Sequence, residues 1–525
     1  MLPKTDPPLL KSKSFSDHSS SYYYCSSIQT FLSTHPRSWI LLCILSLQIF
    51  LLFCIYSLPV SFSFHHFPPP LVNTSSVITT PQTTATTTAI IKEEEDIPIP
   101  TPTQTNDICS DGRVYVYELP KMFNRELSEK CDELNPWNSR CEAISNKGLG
   151  RKYTTNDGRI IGKVIPDKLK SSWYFTDQFA SEIIYHNRIL RHKCRTFDPT
   201  SASAYYLPFY AGLAVGKYLW SDNYTSVHRD YHSVKLLRWV QKQVYFKRSK
   251  GWDHFIMLGR ISWDFRRSKD NDWGSSFIYM PAMHNITRLL IERNPWDYFD
   301  IGVPYPTGFH PKNESELTQW QDFARTRVRK TLFSFAGATR GTIKNDFRGL
   351  LLDQCKDSGN RCKIVDCGGN RCVNGSSAIL ETFLESDFCL QPRGDSFTRR
   401  SIFDCMIAGS IPVFFWHRSA YYQYEWFLPS EPESYSVYID RRDVINGTSI
   451  RGVLEKFSKN EVRKMRDKVI EYVPKFVYAD SRDGLGSSTQ DAFDVAIDGV
   501  LKRFKAHRNM WDTKDENTTI RKLLK

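Results

Sequence analysis

The chain lacks the cysteine pattern of a structural zinc site. Its thirteen cysteines include no C-x-x-C pair, and the densest group has spacings of seven, five and five residues with no histidine beside it. This group consists of Cys355, Cys362, Cys367 and Cys372. Structural zinc sites combine closely spaced cysteines with further cysteine or histidine ligands. A zinc-binding module is therefore disfavoured.

The sequence also lacks a basic block, although its formal net charge is +13. The 70 Lys and Arg residues are spread along the chain among 57 Asp and Glu residues. Proteins that bind nucleic acid usually gather their positive charge on one segment or face. Nucleic acid is therefore not expected as a partner, and a small anionic ligand is sufficient. Heptads and repeats of about 20–50 residues are missing as well, which argues against a solenoid.

One long hydrophobic run is present, at residues 39–60, and as a helix rising about 1.5 Å per residue it would span about 33 Å. That length is enough to cross a bilayer, although a buried core helix is the alternative. Four basic residues precede the run and none follows it until Lys92. The positive-inside rule therefore predicts a cytosolic tail at 1–38, a single transmembrane signal anchor at 39–60 and a lumenal remainder.

Residues 61–108 are rich in Pro, Thr and Ser, as in TTPQTTATTTA, and have too little apolar content to form a core. We expect them to form a disordered stem. Seven N-x-S/T sequons, all on the predicted lumenal side, are candidate glycosylation sites. They are Asn73, Asn223, Asn285, Asn313, Asn374, Asn446 and Asn517.

Ten of the thirteen cysteines follow the stem, and an oxidising lumen would allow them to pair. Cys131 with Cys141, and members of the four-cysteine group named above, are the expected local bridges. The connectivity as a whole cannot be read from the sequence.

About 415 residues follow the stem, which is more than one hydrophobic core usually holds. Both halves alternate apolar strand-like runs with helical segments, and this alternation is typical of parallel sheets covered by helices on both faces. We therefore predict an α/β protein with an N-terminal Rossmann-like domain at 109–315 and a second at 325–485. A C-terminal helix at 486–510 is expected to pack back on the first domain.

The segment 388–415 predicts a buried strand, a polar turn, a helix at 397–408 and a second buried strand. Asp395 or Ser396 is placed to cap that helix, whose first turn would present backbone N–H groups to an anion. Arg400 and Asp404 would share one helical face, which offers a cation for phosphate and a carboxylate for ribose hydroxyls. The alternative for these two residues is a simple ion pair.

The same segment, PRGDSFTRRSIFDCMIAGSIPVFF, is similar to the signature of exostosin-like glycosyltransferases of family 47. Further similar stretches include VYVYELP at 114–120, GWDHFIMLGRISWDFRRS at 251–268 and LFSFAGATRG at 332–341. The plant xyloglucan galactosyltransferase branch is the most similar, in particular its enzymes for the second xylose of the repeat. Relatives that act on another xylose often carry His where this chain has Phe427.

The resemblance implies the GT-B architecture, in which two Rossmann-like domains face a cleft and the second domain binds the nucleotide sugar. It assigns a set of residues to that donor site, and Arg399 could exchange roles with Arg400. The assigned residues are Arg340, Arg393, Gly394, Asp395, Ser396, Arg400 and Asp404.

Inverting transfer needs a base near the acceptor hydroxyl, in the first domain. Asp264 follows a predicted strand, HFIMLG, and stands between Trp263 and Phe265, a setting that favours a raised pKa and hence a catalytic base. The alternative is a structural ion pair with Arg266 or Arg267. His254 and Glu182 are the reserve candidates.

The resemblance implies transfer of β-1,2-galactose from UDP-galactose to xylosyl side chains of xyloglucan, at the Golgi membrane in a type II orientation. No metal is expected, because basic residues can stabilise the departing UDP. A donor of UDP-arabinofuranose or UDP-galacturonic acid is one alternative, and a non-catalytic Golgi scaffold is another. Other xyloglucan-synthesising transferases are candidate partners.

Overall fold

A computed structural model describes residues 108–153, 164–269, 272–339, 346–368, 372, 377–486 and 488–516, together with Gln48. Apart from Gln48 and Ile108, the predicted tail, anchor and stem lie outside the described residues. Within the described part of the chain, no helix is long and apolar enough to cross a membrane.

The first half is built on six strands, which are mostly short and fully buried. Their bounds are Val114–Val116 (β1), Arg195–Thr196 (β4), Ala204–Leu207 (β5), His254–Leu258 (β6), Thr287–Leu290 (β7) and Asp300–Gly302 (β8). They form one parallel sheet in the order β4-β1-β5-β6-β7-β8. Two further strands, Arg151–Lys152 (β2) and Tyr174–Phe175 (β3), pair antiparallel beside it.

The second half is built on a five-stranded parallel sheet. Its strands are Thr331–Gly337 (β9), Cys362–Asp366 (β10), Ser386–Gln391 (β11), Ile411–Phe414 (β12) and Val437–Tyr438 (β13), in the order β10-β9-β11-β12-β13. Both sheets are parallel, so each collects loops from several strands at its carboxyl edge, where α/β proteins bind ligands. The α/β class with parallel sheets is confirmed.

Helices connect the strands in both halves. In the first half they are Arg125–Glu129 (α1), Cys141–Ile144 (α2), Ser181–Ile189 (α3), Ala211–Gly216 (α4), Ser226–Val240 (α5) and Val244–Ser249 (α6). From the second half onward they are Glu314–Thr326 (α7), Phe347–Asp357 (α8), Ser377–Leu384 (α9), Ser401–Ile407 (α10), Arg441–Ile445 (α11), Ile450–Leu454 (α12), Lys459–Glu471 (α13) and Ala492–Glu516 (α14). The predicted domain boundaries stay predictions.

The last helix, α14, packs against the first sheet. The ring of Phe504 lies 6.4 Å from that of Phe255 on β6, and Lys505 Nζ lies 3.0 Å from the Asp111 carboxylate. The C-terminal end of the described chain therefore returns to the N-terminal half.

The two halves contact each other directly along one edge of the first sheet. Tyr424 Oη donates to the Ile291 carbonyl, 2.8 Å away, just beyond the end of β7. Gln423 accepts from the Arg293 backbone N–H at 2.8 Å and donates to the Arg293 carbonyl at 3.2 Å. A Cβ on Gly302 would come within 1.9 Å of the Gln423 carbonyl oxygen, so this close approach requires glycine.

All ten described cysteines form disulfides. The bridges Cys131–Cys141, Cys355–Cys362 and Cys367–Cys372 confirm the expected local pairing, and Cys109–Cys194 and Cys389–Cys405 add two longer ones. The last bridge connects β11 to α10. It therefore holds together the two elements that flank the polar turn at 392–400.

Candidate active site

The polar turn differs from the prediction at its helical end. Helix α10 begins only at Ser401, and Arg400 occupies the N-cap position without a side-chain cap. The prediction that Asp395 or Ser396 caps a helix from 397 is therefore wrong. The physical reason is a contact from the other half of the molecule: Glu292 accepts hydrogen bonds from Ser396 and Thr398, which holds this stretch as a turn.

Glu292 lies two residues beyond the end of β7 and is fully buried. Its carboxylate accepts from Ser396 Oγ at 2.5 Å and from the Thr398 backbone N–H at 3.1 Å, and the Phe397 N–H also bonds to it. Burial raises the pKa of Glu292 to about 7, and nearby Asp264 raises it further, whereas these hydrogen bonds lower it. A titratable group of the first half therefore sets the conformation of the turn in the second half.

Arg400 and Asp404 contact each other. Arg400 Nε lies 3.2 Å from Asp404 Oδ2, and Arg400 Nη1 donates to the Thr176 carbonyl at 2.7 Å. Burial raises the pKa of Asp404, and Arg400 opposes that shift. The ion-pair alternative is thus the observed geometry, and the Arg400 guanidinium is occupied by protein groups.

Arg399 is the better placed cation. Its Nη2 donates to the Ala336 carbonyl at 2.7 Å, near the end of β9. Its buried Nη1 has no hydrogen-bond partner among the residues that the structure describes. Burial and nearby Arg348 lower the pKa of Arg399, but a guanidinium remains protonated at neutral pH. The structure therefore favours Arg399 over Arg400 as a ligand for phosphate oxygens.

Two further buried polar atoms near Arg399 have no partner within the described residues. They are Gln391 Oε1, at the end of β11, and Ser401 Oγ, at the start of α10. Buried polar atoms are nearly always hydrogen-bonded in folded proteins, so such a group points to a missing ligand or water. The carboxyl edge of β9 and β11 therefore has unused polar capacity for a bound molecule.

Three of the other predicted donor residues, Arg393, Gly394 and Asp395, lie in the turn that follows β11. The guanidinium of Arg393 lies 5.2 Å from the ring centroid of Trp416. The backbone carbonyl of Arg393 accepts a hydrogen bond from Arg348 Nη2 at 3.1 Å. A Cβ on Gly394 would lie 2.5 Å from the Thr398 carbonyl oxygen, so the turn closes tightly on itself. Asp395 is exposed. Arg340 lies outside the described residues.

Asp264 lies in a short turn after β6 and is almost completely buried. Arg260 Nε donates to its Oδ2 at 2.6 Å, and Trp273 Nε1 donates to its Oδ1 at 2.8 Å. The predicted alternative, an ion pair of Asp264 with Arg266 or Arg267, is wrong, because Asp264 pairs with Arg260. Arg266 pairs instead with Asp297 and Asp300, and Arg267 pairs with Asp230.

The reserve candidates have structural partners. His254 is buried at the amino end of β6, where it bonds to Asp253 at 2.6 Å and to Tyr117 Oη at 2.9 Å. Glu182 is buried and accepts from the backbone N–H groups of Gly212 and Gly259 at 2.6 and 2.8 Å. Burial raises the pKa of Glu182 to about 7. Its contacts join α3, α4 and the end of β6, which is a sufficient structural role.

Metal-dependent transferases commonly use an Asp-x-Asp triplet, and this chain contains one at Asp270, Asn271 and Asp272, so the pattern of acidic residues gives no support to the expectation that no metal takes part. The first two lie outside the described residues. Asp272 is exposed and pairs with Arg229 at 2.7 Å. The expectation of metal-independent transfer therefore depends on the basic residues alone.

Four predicted glycosylation sites lie in the described part of the chain. Asn223, Asn313 and Asn446 are exposed, and Asn313 also accepts from the Glu316 N–H at the start of α7. Asn285 is half-buried and donates to the Lys250 carbonyl at 3.1 Å. The remaining sites, Asn73, Asn374 and Asn517, lie outside the described residues.

Comparison with known proteins places this geometry in a family. The model of the Exostosin GT47 domain matches residues 108–454. Xyloglucan galactosyltransferase XLT2 of Arabidopsis thaliana is 64% identical over 398 residues, which are 76% of this chain and 76% of that protein. Xyloglucan galactosyltransferase MUR3 of the same plant is 41% identical over 417 residues, which are 78% of this chain and 65% of that protein.

A third relative is named for a different activity. Xyloglucan-specific galacturonosyltransferase 1 of Arabidopsis thaliana is 39% identical over 399 residues, which are 75% of this chain and 57% of that protein. Among solved structures, the GtfA/B complex matches with a TM-score of 0.29 and 10% identity, over 52% of this chain and 61% of that chain, a likeness too weak to support an inference. On the family match and these identities, the chain belongs to the exostosin GT47 family.

Proposed function

We propose that this protein is a xyloglucan galactosyltransferase that transfers galactose from UDP-galactose to xylosyl side chains of xyloglucan. The observation that carries the proposal is the 64% identity to XLT2, extending over 76% of each chain. The modified position is proposed to be the second xylose of the repeat. Phe427, at the position where relatives that act on another xylose often carry His, is fully buried. It can therefore influence which xylose is modified only through the residues packed around it.

The two parallel sheets support a GT-B arrangement in which the second half holds the donor. Arg399 and the buried polar atoms of Gln391 and Ser401 lie at one carboxyl edge and can bind the diphosphate and nucleoside. Charge develops on the diphosphate as the bond to the sugar breaks, and a fixed cation stabilises it. This role replaces the one predicted for Arg400.

The proposed reaction is a single displacement with inversion. The xylosyl 2-hydroxyl attacks the anomeric carbon of galactose, the bond from that carbon to the diphosphate oxygen breaks, and UDP leaves. The hydroxyl proton passes to Asp264, which Arg260 and Trp273 hold in one orientation. The product is a β-1,2-linked galactose.

A second donor is favoured by one observation, the 39% identity to a galacturonosyltransferase. UDP-galacturonic acid differs from UDP-galactose by a carboxylate at the sugar. The lower identity places this candidate second. A non-catalytic scaffold is disfavoured because it has no need for buried polar atoms that lack a partner among the described residues, as those of Arg399, Gln391 and Ser401 do.

We also propose a Golgi location, with residues 39–60 as a type II anchor and with other xyloglucan-synthesising transferases as partners. The proposal follows from the charge asymmetry around that run and from the disulfides, which form in oxidising compartments. Fluorescence protease protection of a tagged full-length protein tests the orientation. An N-terminal tag that is protected from cytosolic protease would contradict it.

The function is tested by incubating the full-length protein with xylosylated glucan oligosaccharides and one UDP-sugar at a time, with and without EDTA. We expect hexose addition from UDP-galactose alone, at the same rate in EDTA. Addition from UDP-galacturonic acid instead would establish the second candidate. The absence of transfer by folded protein from every donor would contradict the proposal.

A further inference from the structure

Three tryptophans, Trp137, Trp220 and Trp273, form a continuous row in the first half, here called the tryptophan row. The ring centroids of Trp137 and Trp220 are 5.6 Å apart, and those of Trp220 and Trp273 are 5.5 Å apart. Trp137 is 49% exposed and Trp220 is 38% exposed. The row therefore presents large aromatic surfaces to solvent at one end.

At its other end the row touches Asp264. Trp273 Nε1 donates to Asp264 Oδ1 at 2.8 Å, and Asp264 raises the pKa of Glu292, which contacts the polar turn at 392–400, from here on called the donor turn. The path from Trp137 to Asp264 thus runs from open solvent to the candidate base. This continuity separates the row from tryptophans that are exposed singly.

The topology explains why these residues meet. Trp137 follows β1, Trp220 follows β5 and α4, and Trp273 follows β6. Strands β1, β5 and β6 are neighbours in the sheet, so loops at their carboxyl ends lie side by side. Three separate loops each contribute one indole to the same surface.

We propose that the tryptophan row binds the glucan backbone of the acceptor and so presents a xylosyl branch to Asp264. This inference rests on the proposed function. Adjoining exposed apolar surfaces often mark a binding site, and the flat faces of indoles suit the apolar faces of pyranose rings. Lys217, the first residue after α4, forms an ion pair with Glu133. Because the two charges offset each other, this surface suits a neutral polysaccharide.

The test compares acceptor and donor kinetics of the full-length protein carrying Trp220→Ala or Trp137→Ala. Loss of one stacking face should raise the acceptor KM about tenfold, while the donor KM stays within about twofold. Trp220→Tyr keeps an aromatic face and should recover most of the acceptor affinity. Trp252→Ala is the matched control, because Trp252 is 36% exposed at the amino end of β6, packed on Phe299, and should change neither KM.

Tryptophan fluorescence gives a second readout that does not need turnover. Titration of wild-type protein with a xylosylated cello-oligosaccharide should change the emission, and Trp220→Ala should weaken that response.

If wild-type protein transfers galactose to xyloglucan but the variants keep the wild-type acceptor KM, the inference is wrong and the proposed function stands. If wild-type protein transfers nothing to xyloglucan, the proposed function is wrong. A glucan titration curve equal in wild type and Trp220→Ala would then overturn the inference, and one weakened in the variant would support it.

Discussion

Replacing Glu292 with Gln should weaken donor binding, because Glu292 organises the donor turn from the opposite half. The carboxylate accepts from Ser396 Oγ and from the N–H groups of Phe397 and Thr398. A Gln amide offers one oxygen, and its NH₂ group would face another donor. A buried donor left without an acceptor costs about 1–3 kcal/mol. At about 2 kcal/mol, the KM for UDP-galactose should rise about 30-fold.

The pH dependence has a defined sign. The folded pKa of Glu292, about 7, lies above its ordinary value of 4.5. The folded protein therefore holds this proton more tightly, and the contribution of Glu292 to the free energy of unfolding should fall by about 3 kcal/mol as pH rises from about 4.5 to 7. Donor binding should improve over the upper part of this range, since the ionised carboxylate accepts all three hydrogen bonds. Glu292→Gln should remove the donor-binding trend and the Glu292 share of the stability trend, while Glu182, whose pKa is also about 7, keeps its own share.

The assay is steady-state kinetics with varied UDP-galactose, together with urea unfolding, at several pH values. A double-mutant cycle with Ser396→Ala isolates the contact, and a coupling of about 1 kcal/mol is expected between the two positions. A donor KM for Glu292→Gln within about twofold of wild type, with an unchanged pH profile, would refute the reasoning.

Three other predictions concern separate parts of the site. Asp264→Asn should lower kcat by about 10²–10⁴ and leave the circular dichroism spectrum unchanged, and near-normal turnover would remove it as the base. Arg399→Lys should raise the KM for UDP-galactose more than Arg400→Lys does in the same kinetic assay, because Arg400 is bound to protein groups, and the reverse order would contradict the assignment. Cys405→Ser should lower the free energy of urea unfolding by about 3 kcal/mol, since it opens a bridge across the donor turn, and an unchanged midpoint would contradict that role.

The strands were predictable from sequence where they are continuously apolar. HFIMLG and IPVFF are such runs, and they correspond to β6 and β12 within one or two residues. Strand β7 was not predicted, because Arg288 interrupts the apolar residues of its TRLL sequence. In the structure Arg288 is buried and pairs with Asp300 on β8 at 2.6 Å. A strand that carries a buried ion pair has no apolar pattern to detect.

Because β7 was not predicted, Glu292 was not predicted either, although it is one of the residues through which the two halves contact each other. The contact from Glu292 to Ser396 spans more than a hundred positions, and it shortens α10 relative to the local helix signals. The Asp264 turn shows the same limit: its position after β6 was predictable, but its partners Arg260 and Trp273 depend on how the loop folds. Local patterns predicted where the chemistry lies, while tertiary contacts decide which side chains are available.

The most direct test of the central claim is the structure of the product. Proton NMR of xyloglucan oligosaccharide incubated with the full-length protein and UDP-galactose reports both the linkage and the anomeric configuration of the added sugar. One β-galactosyl residue on O2 of a xylose is expected. An α-linked galactose, or a galactose on the glucan backbone, would contradict it.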